Sequence, residues 1–204
     1  MDELIKNPID SFSKYLPKRS PLLKGMEEKA RKNEIPIVGP FVGHFLAFLT
    51  TISKAQKVLE LGTATGYSAI WMGNVLKNVI GHLISIEENA DSAKIARENI
   101  KKAGLSNTVS IKTGKAQPIL KELNMKFDMI FMDVDKEYYQ PLLPFCEKSL
   151  HRGGLLVADN TAFRDAQPFN NAIYDSNNWD SINIYGLWPM HNPDMDGICL
   201  ARRI

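Results

Sequence analysis

The stretch KVLELGTATGYSAIWMGNVLK, residues 57–77, changes character in its middle. KVLELG (57–62) is a short apolar run that closes on glycine, as a buried strand does, and YSAIWMGNVLK (67–77) has the mixed apolar pattern of a helix. A strand that passes through glycines into a helix is the first half of a strand-helix-strand unit, and the chain repeats that unit. HLISIE (82–87) reads as a second strand. NADSAKIARENIKKAG (89–104) is the clearest helix: Ala93, Ala96, Ile100 and Ala103 fall on one face, and Gly104 supplies the expected stop. TVSIK (108–112) then reads as strand, AQPILKEL (116–123) as a short helix and FDMIFMD (127–133) as strand. YYQPLLPFCEKSL (138–150) reads as a helix interrupted by proline, and GLLVAD (154–159) as strand.

Such alternation implies right-handed crossovers and a parallel, doubly wound sheet with helices on both faces. The last forty residues or so differ, because SINIYGLW and DGICLARRI look like two strands with no clear helix between them. They predict an antiparallel hairpin at one sheet edge. Before the first strand, a helical pattern from Ile9 to about Thr51 is broken at Pro17, Pro21, Pro36 and Pro40, which predicts two or three short helices. The expected organisation is one domain over 1–204, with an N-terminal helical cap (1–51) and a core (52–204).

The 204 residues, 44% hydrophobic and 24% charged, are enough for one well-buried domain. A net charge of +2 gives no global basic field for nucleic acid, although Lys18-Arg19, Lys101-Lys102 and Arg202-Arg203 are local basic pairs. Cys146 and Cys199 lack metal-ligand spacing and read as reduced core thiols. MDELIKNPIDSFSKYL carries acidic residues where a signal peptide needs basic ones, and no apolar run approaches the roughly 20 residues of a membrane span. The expected location is the cytoplasm, with no membrane partner.

In a doubly wound sheet, ligands sit beyond the carboxyl ends of the strands. LELGTATGYS (59–68) leaves its strand through Gly62 and enters a helix at Gly66, so backbone amides at a helix start can approach a ligand with no Cβ between them. The spacing Gly62-x-x-x-Gly66, with Glu60 before it, fits neither the three-glycine dinucleotide fingerprint nor the phosphate loop, which disfavours nicotinamide and ATP. Glu87 ends the second strand, where a carboxylate can accept both hydroxyls of a ribose.

VLELGTATGYSAIWM, ISIEENADSAKIA, FMDVDKEYY and GGLLVADN together resemble the metal-dependent class I O-methyltransferases that use S-adenosylmethionine, the family of catechol and caffeoyl-CoA O-methyltransferases. The match runs in order from about Ile35 to the C-terminus. It implies an α/β, Rossmann-like, doubly wound and mostly parallel seven-stranded sheet with the antiparallel edge hairpin and the N-terminal cap. By that resemblance Glu60, Gly62, Tyr67 and Ser68 line the methionine side of the donor, Glu87 binds its ribose, and Ala116 with Gln117 lies by the adenine. Val38 and Gly39 match the segment that closes over the donor, and Asp133 also borders it.

Asp133 ends the fourth strand and Asp159-Asn160 the fifth, so adjacent strands bring three oxygen ligands to one sheet edge. Two buried carboxylates without a partner are costly, and a hard divalent cation, Mg²⁺ by preference, removes that cost while leaving coordination positions for water and two substrate oxygens. An EF-hand beginning at Asp133 would need glycine where Tyr138 stands and glutamate where Pro144 stands, and His44, His82, His151 and His191 show no zinc spacing. In the resembling family the lysine at the place of Lys136 is the general base, beside Asp133 as the second catalytic residue. Asp135 is either a further ligand or the partner of Lys136 in the turn.

Two classes of function follow. The first is an enzyme that methylates a small vicinal diol of catechol type, with a tRNA 5-hydroxyuridine as the alternative acceptor and Lys18, Arg19, Lys101 or Lys102 as phosphate contacts. The second is a non-catalytic protein that binds S-adenosylmethionine or RNA. After Asn160 the chain carries TAFRDAQPFNNAIYDSNN where relatives carry an aromatic and basic insertion; Phe163, Arg164, Trp188 and Met190 are candidates to line an acceptor. The resemblance, with the apolar run GPFVGHFLAFL (39–49), implies a homodimer.

Overall fold

The computed structural model describes residues 4–204. The first three residues of the expected cap lie outside the described residues. Three helices precede the sheet, α1 (Pro8–Ser13), α2 (Pro21–Asn33) and α3 (Gly39–Ile52). Each carries proline in its first turn, where the missing amide costs nothing. The Ser20 side chain caps α2 by accepting from the Leu23 amide at 3.3 Å.

There follow β1 (Lys57–Leu61), α4 (Tyr67–Asn78), β2 (His82–Glu87), α5 (Ala90–Lys102), β3 (Val109–Thr113), α6 (Ala116–Glu122), β4 (Phe127–Met132), α7 (Tyr139–Ser149), β5 (Leu150–Ala158), α8 (Gln167–Tyr174), β6 (Trp179–Leu187) and β7 (Met195–Arg203). The seven strands form one sheet in the order β3-β2-β1-β4-β5-β7-β6. The first five are parallel; β7 runs antiparallel to both β5 and β6. This is the Rossmann-like fold the sequence implied. The order reverses between β1 and β4, where successive connections depart to opposite sides, and a crevice opens at the carboxyl ends of those strands.

Strand alternation divides the core. Val58, Met129, Phe131 and Val157 face the side covered by α2, α3, α4 and α5, while Leu59, Leu61, Ile130, Met132 and Leu156 face α6, α7 and α8. Both sides are fully buried, which is why these strands read as continuous apolar runs. Among the described residues, no helix is long and apolar enough to cross a membrane.

Three expectations are corrected. The helix at 138–150 is not interrupted: α7 runs through Pro144, which is exposed, as is Gln140, whose carbonyl loses its partner there. β5 begins at Leu150 rather than 154, because Leu150 pairs with Phe127 before the register shifts between Phe127 and Met129. The segment after Asn160 contains α8, unassigned in the sequence; its signals were Pro168 in the first turn and the apolar pair Phe169 and Ile173, both buried.

The start of β1 is tied to β4 by one carboxylate, for Asp128 Oδ2 accepts from the backbone amides of Gln56 at 2.9 Å and Lys57 at 2.8 Å. Asp128→Ala is expected to cost about 1–2 kcal/mol in denaturant unfolding and Asp128→Asn less than half of that, because charge-assisted bonds to exposed amides contribute on that scale. An unchanged midpoint in the alanine variant refutes the tether.

Candidate active site

A cavity of about 500 Å³ lies at the carboxyl ends of β1, β2, β4 and β5. Its floor is set by backbone ladder bonds that continue one residue past the strands. The Gly62 amide donates to the Ile86 carbonyl (2.9 Å), Asp133 to Leu61 (2.8 Å), Asp159 to Met132 (3.1 Å) and Gly114 to Glu87 (2.8 Å). Gly62 (φ 88°) therefore sits against Asp133, whose carbonyl occupies the space a Cβ at position 62 would need. Gly66, also at φ 88°, starts α4 without a side-chain cap, so the first amides of that helix face the cavity unclaimed by any side chain.

Glu87 is committed to the glycine loop as well as to the cavity. Its Oε2 accepts from the amides of Thr63 (3.2 Å) and Ala64 (2.8 Å), and Oε1 from Asn89 (2.9 Å). Ala64, at φ 45°, holds a backbone conformation unfavourable to a residue with a Cβ, and Glu87 is part of what keeps it there. Asn99 on α5 adds a bond from Nδ2 to the Thr65 carbonyl at 2.9 Å. On the opposite wall the Tyr67 hydroxyl donates to Glu27 Oε1 at 2.7 Å, and Glu27 pairs with Arg19 at 3.2 Å. Burial, with Glu27 beside it, holds the Tyr67 phenol above its ordinary range.

Val38, Gly62, Tyr67, Ser68, Glu87, Ala116, Gln117, Asp133, Lys136, Asp159 and Asn160 all line this one cavity. Of the residues assigned to the donor or the metal, two do not. Gly39 packs beneath the Met190 carbonyl, outside the wall. Glu60 is wholly buried behind it, because strand alternation turns it to the face of Val58; Thr63 (2.8 Å) and Ser85 (2.5 Å) donate to its Oε2, and Oε1 has no hydrogen-bond partner. Burial, only partly offset by the hydroxyls of Ser68, Ser85 and Thr63, pushes its carboxyl up to about 7.

Of the acceptor candidates, none lines the cavity: Trp188 is buried against Phe41 and Phe45, with its indole N–H donating to the Asp196 carbonyl at 3.0 Å, while Phe163 and Met190 are partly exposed outside it.

At the far end stand the groups beyond β4 and β5. Lys136 Nζ lies 3.3 Å from both Asp133 Oδ1 and the Val134 carbonyl, and 5.6 Å over the Tyr139 ring. Lys136 thus pairs with Asp133, not with Asp135. Asp159 is buried with its Oδ1 lacking a hydrogen-bond partner, and burial together with the charge of Asp133 lifts its carboxyl to about 7. Among the described residues no three His, Cys, Asp or Glu side chains group closely enough to hold a metal, so a cation here would draw on the Asn160 carboxamide and water besides two carboxylates. The Asp159 oxygen, buried with no hydrogen-bond partner, fits such a cation, since a buried carboxylate that is only partly compensated is costly.

His191 was missed. It comes from the loop between β6 and β7, 31 residues from Asn160, and no spacing rule links the two. Its Nδ1 lies 3.0 Å from the Val38 carbonyl, and its Nε2 lies 3.0 Å from Asn160 Nδ2 and 3.4 Å from both Asp159 Oδ1 and Asp196 Oδ2. Asn160 Nδ2 also donates to Asp196 Oδ2 at 2.5 Å. Burial lowers the His191 pKa, but the bond to Asp196 and the charge of Asp159 outweigh it and raise it. The shortest contact of Nε2 is nevertheless to a donor, Asn160 Nδ2 at 3.0 Å, which only the neutral ring with its proton on Nδ1 can accept, so the geometry assigns the neutral ring against the pull of the two carboxylates. Asp196 is held below the usual carboxylate range by His191 and Asn160 against the opposing effect of burial.

A sequence-family model for O-methyltransferases matches residues 11–170. The chain is 44% identical over 128 residues to the catechol O-methyltransferase of Niastella koreensis, covering 60% of this chain and 57% of that protein. It is 33% identical over 119 residues to the catechol O-methyltransferase of Mycobacterium tuberculosis, covering 58% and 54%. These matches thus span little more than half the length of the relatives. Among solved structures, an O-methyltransferase from Bacillus cereus in complex with SAH superposes with a TM-score of 0.86 at 25% identity over 96% of both chains. TomG from Streptomyces achromogenes, in complex with SAM, gives 0.86 at 25% identity over 95% of this chain and 94% of that one.

The Glu60 carboxyl carries a pH signature. Its folded pKa lies above the ordinary 4.5, so its contribution to stability is complete below that value and is lost as pH rises toward about 7. Glu60→Gln is therefore expected to stabilise the protein at pH 8, by up to about 3 kcal/mol, and to leave it nearly unchanged at pH 4.5. Melting curves at the two pH values check this; an equal shift at both, or a loss at pH 8, contradicts it.

Proposed function

Because the chain belongs to the O-methyltransferase family, we propose that it transfers the methyl group of S-adenosylmethionine to one hydroxyl of a small vicinal diol of catechol type, with a divalent cation, Mg²⁺ by preference, at Asp133, Asp159 and Asn160. The observation that carries this reading is a single cavity with the glycine loop and Glu87 at one end and a buried, unpartnered Asp159 oxygen at the other. The SAM- and SAH-bound neighbours support the donor. The catechol O-methyltransferase relatives support the acceptor class.

In this reading the amides that follow Gly66 receive the donor's carboxylate end, Glu87 uses its remaining acceptor site, on Oε1, for the ribose, and Ala116 with Gln117 borders the adenine. Tyr67, Ser68 and Val38 enclose the methionine portion. The cation, when bound, acidifies the acceptor hydroxyl. Lys136, as the neutral amine, takes the hydroxyl proton at Nζ and becomes the ammonium; the acceptor oxygen forms the new bond to the methyl carbon as the carbon-sulfur bond breaks, which leaves S-adenosylhomocysteine. Cavity walls hold oxygen, carbon and sulfur in line and exclude water.

Phosphate contacts for a tRNA acceptor find less support. Arg19 is committed to Glu27 and to the Pro17 carbonyl at 2.9 Å. Lys101 and Lys102 end α5, and a crossover helix ends at the sheet edge where the next strand begins, opposite the cavity. A protein that only binds S-adenosylmethionine would have no use for Lys136 and Asp159 in the same cavity. The homodimer belongs to the proposal too: α3 leaves Phe48 and Ile52 more than half exposed, and light scattering at micromolar concentration should give twice the chain mass.

With labelled donor and Mg²⁺, a catechol is expected to be methylated and a lone phenol not, because two adjacent oxygens chelate where one cannot. Asp159→Ala should abolish turnover while donor affinity in calorimetry stays nearly intact, and Glu87→Ala should weaken donor binding by about 1–3 kcal/mol. Full activity after exhaustive chelation, or turnover on tRNA but on no vicinal diol, overturns the reading.

A further inference from the structure

The cavity wall contains a buried polar side chain, His191, that the proposed transfer does not use. His191 bridges two parts of the chain that have no other side-chain hydrogen bond in common, the Val38 carbonyl before α3 and the Asn160 carboxamide after β5. We propose that His191 is a positioning residue: it fixes the Asn160 carboxamide so that Oδ1, and not the amide nitrogen, faces the cation.

The orientation follows from chemistry. A backbone carbonyl can only accept, so His191 Nδ1 carries a proton and donates it to Val38, and this sets the plane of the ring. Nε2 then faces Asn160 Nδ2 at 3.0 Å, while Asp196 Oδ2 takes another amide proton at 2.5 Å. The amide nitrogen is thereby held on the side of His191 and Asp196, which turns Oδ1 away from them. Were the amide flipped, its oxygen would lie against the Asp196 carboxylate, an unfavourable contact. Asp196 is itself fixed, for its Oδ1 accepts from the Gly197 amide at 2.6 Å. His191 is buried, so no water can replace it without a rearrangement of the loop.

This inference rests on the metal-dependent reading, and the test separates the two. Mn²⁺ binding to the protein, without donor or acceptor, is followed by the electron paramagnetic resonance of the free ion. Residues that orient a metal ligand commonly change affinity by about 10–100-fold, so His191→Phe is expected to weaken Mn²⁺ binding at least tenfold. His191→Gln, which keeps one donor and one acceptor, should stay within about threefold of wild type. A residue needed only for packing would not be rescued by the amide. If the phenylalanine variant does not fold, as judged by near-ultraviolet circular dichroism, His191→Leu is read in its place with the same expectation. Wild-type affinity in the apolar variant, or a glutamine variant as weak as the apolar one, overturns the role of His191 while leaving the metal reading intact. A wild-type protein that takes up no Mn²⁺ overturns both.

Discussion

The cavity depends on one constraint, that the backbone ladder does not stop where the strands do. Four amides, of Gly62, Asp133, Asp159 and Gly114, find carbonyls on neighbouring strands after the regular pairing ends. Each of these bonds fixes the first residue of a loop, and so the glycine loop and the acidic residues after β4 and β5 start from a common line. The absent Cβ at position 62 is part of the same constraint, since β1 and β4 could not otherwise remain in register up to Leu61 and Met132.

On that line the molecule accepts a charge imbalance. Glu60 and Asp159 are both buried, both have an oxygen without a partner, and both hold their protons more tightly than ordinary carboxylates. Nearby hydroxyls and Lys136 offset only part of the cost. Such sites persist when a ligand supplies what the protein withholds. The hydrophobic layers on either face of the sheet make this tolerable, because they hold the strands whatever the state of the carboxylates.

Much of the fold was legible in the sequence, because the central strands are apolar on both sides and each crossover carries its own signal, such as the Asn89 cap and Gly104 of α5. The same holds for the residues that follow the strands, since position in the chain fixes position at the sheet edge. What alternation decides was harder to see: Glu60 lies next to the loop in sequence, yet the period of two turns it away from the cavity. His191 was not legible at all, because its partners come from segments far apart in sequence and meet only through the hairpin and the cap. α8 was obscured by the polar residues around Phe169 and Ile173, which outnumber the two that anchor it.

The backbone at Asn160 has φ of 49°, in the left-handed region. Few residues tolerate it, chiefly glycine, asparagine and aspartate. Of these, glycine offers no side-chain oxygen and aspartate would add a further negative charge beside Asp133, Asp159 and Asp196. The shape of the turn, the charge already present and the oxygen a cation would take thus narrow position 160 together, so drift at that site is closed off by geometry as much as by chemistry.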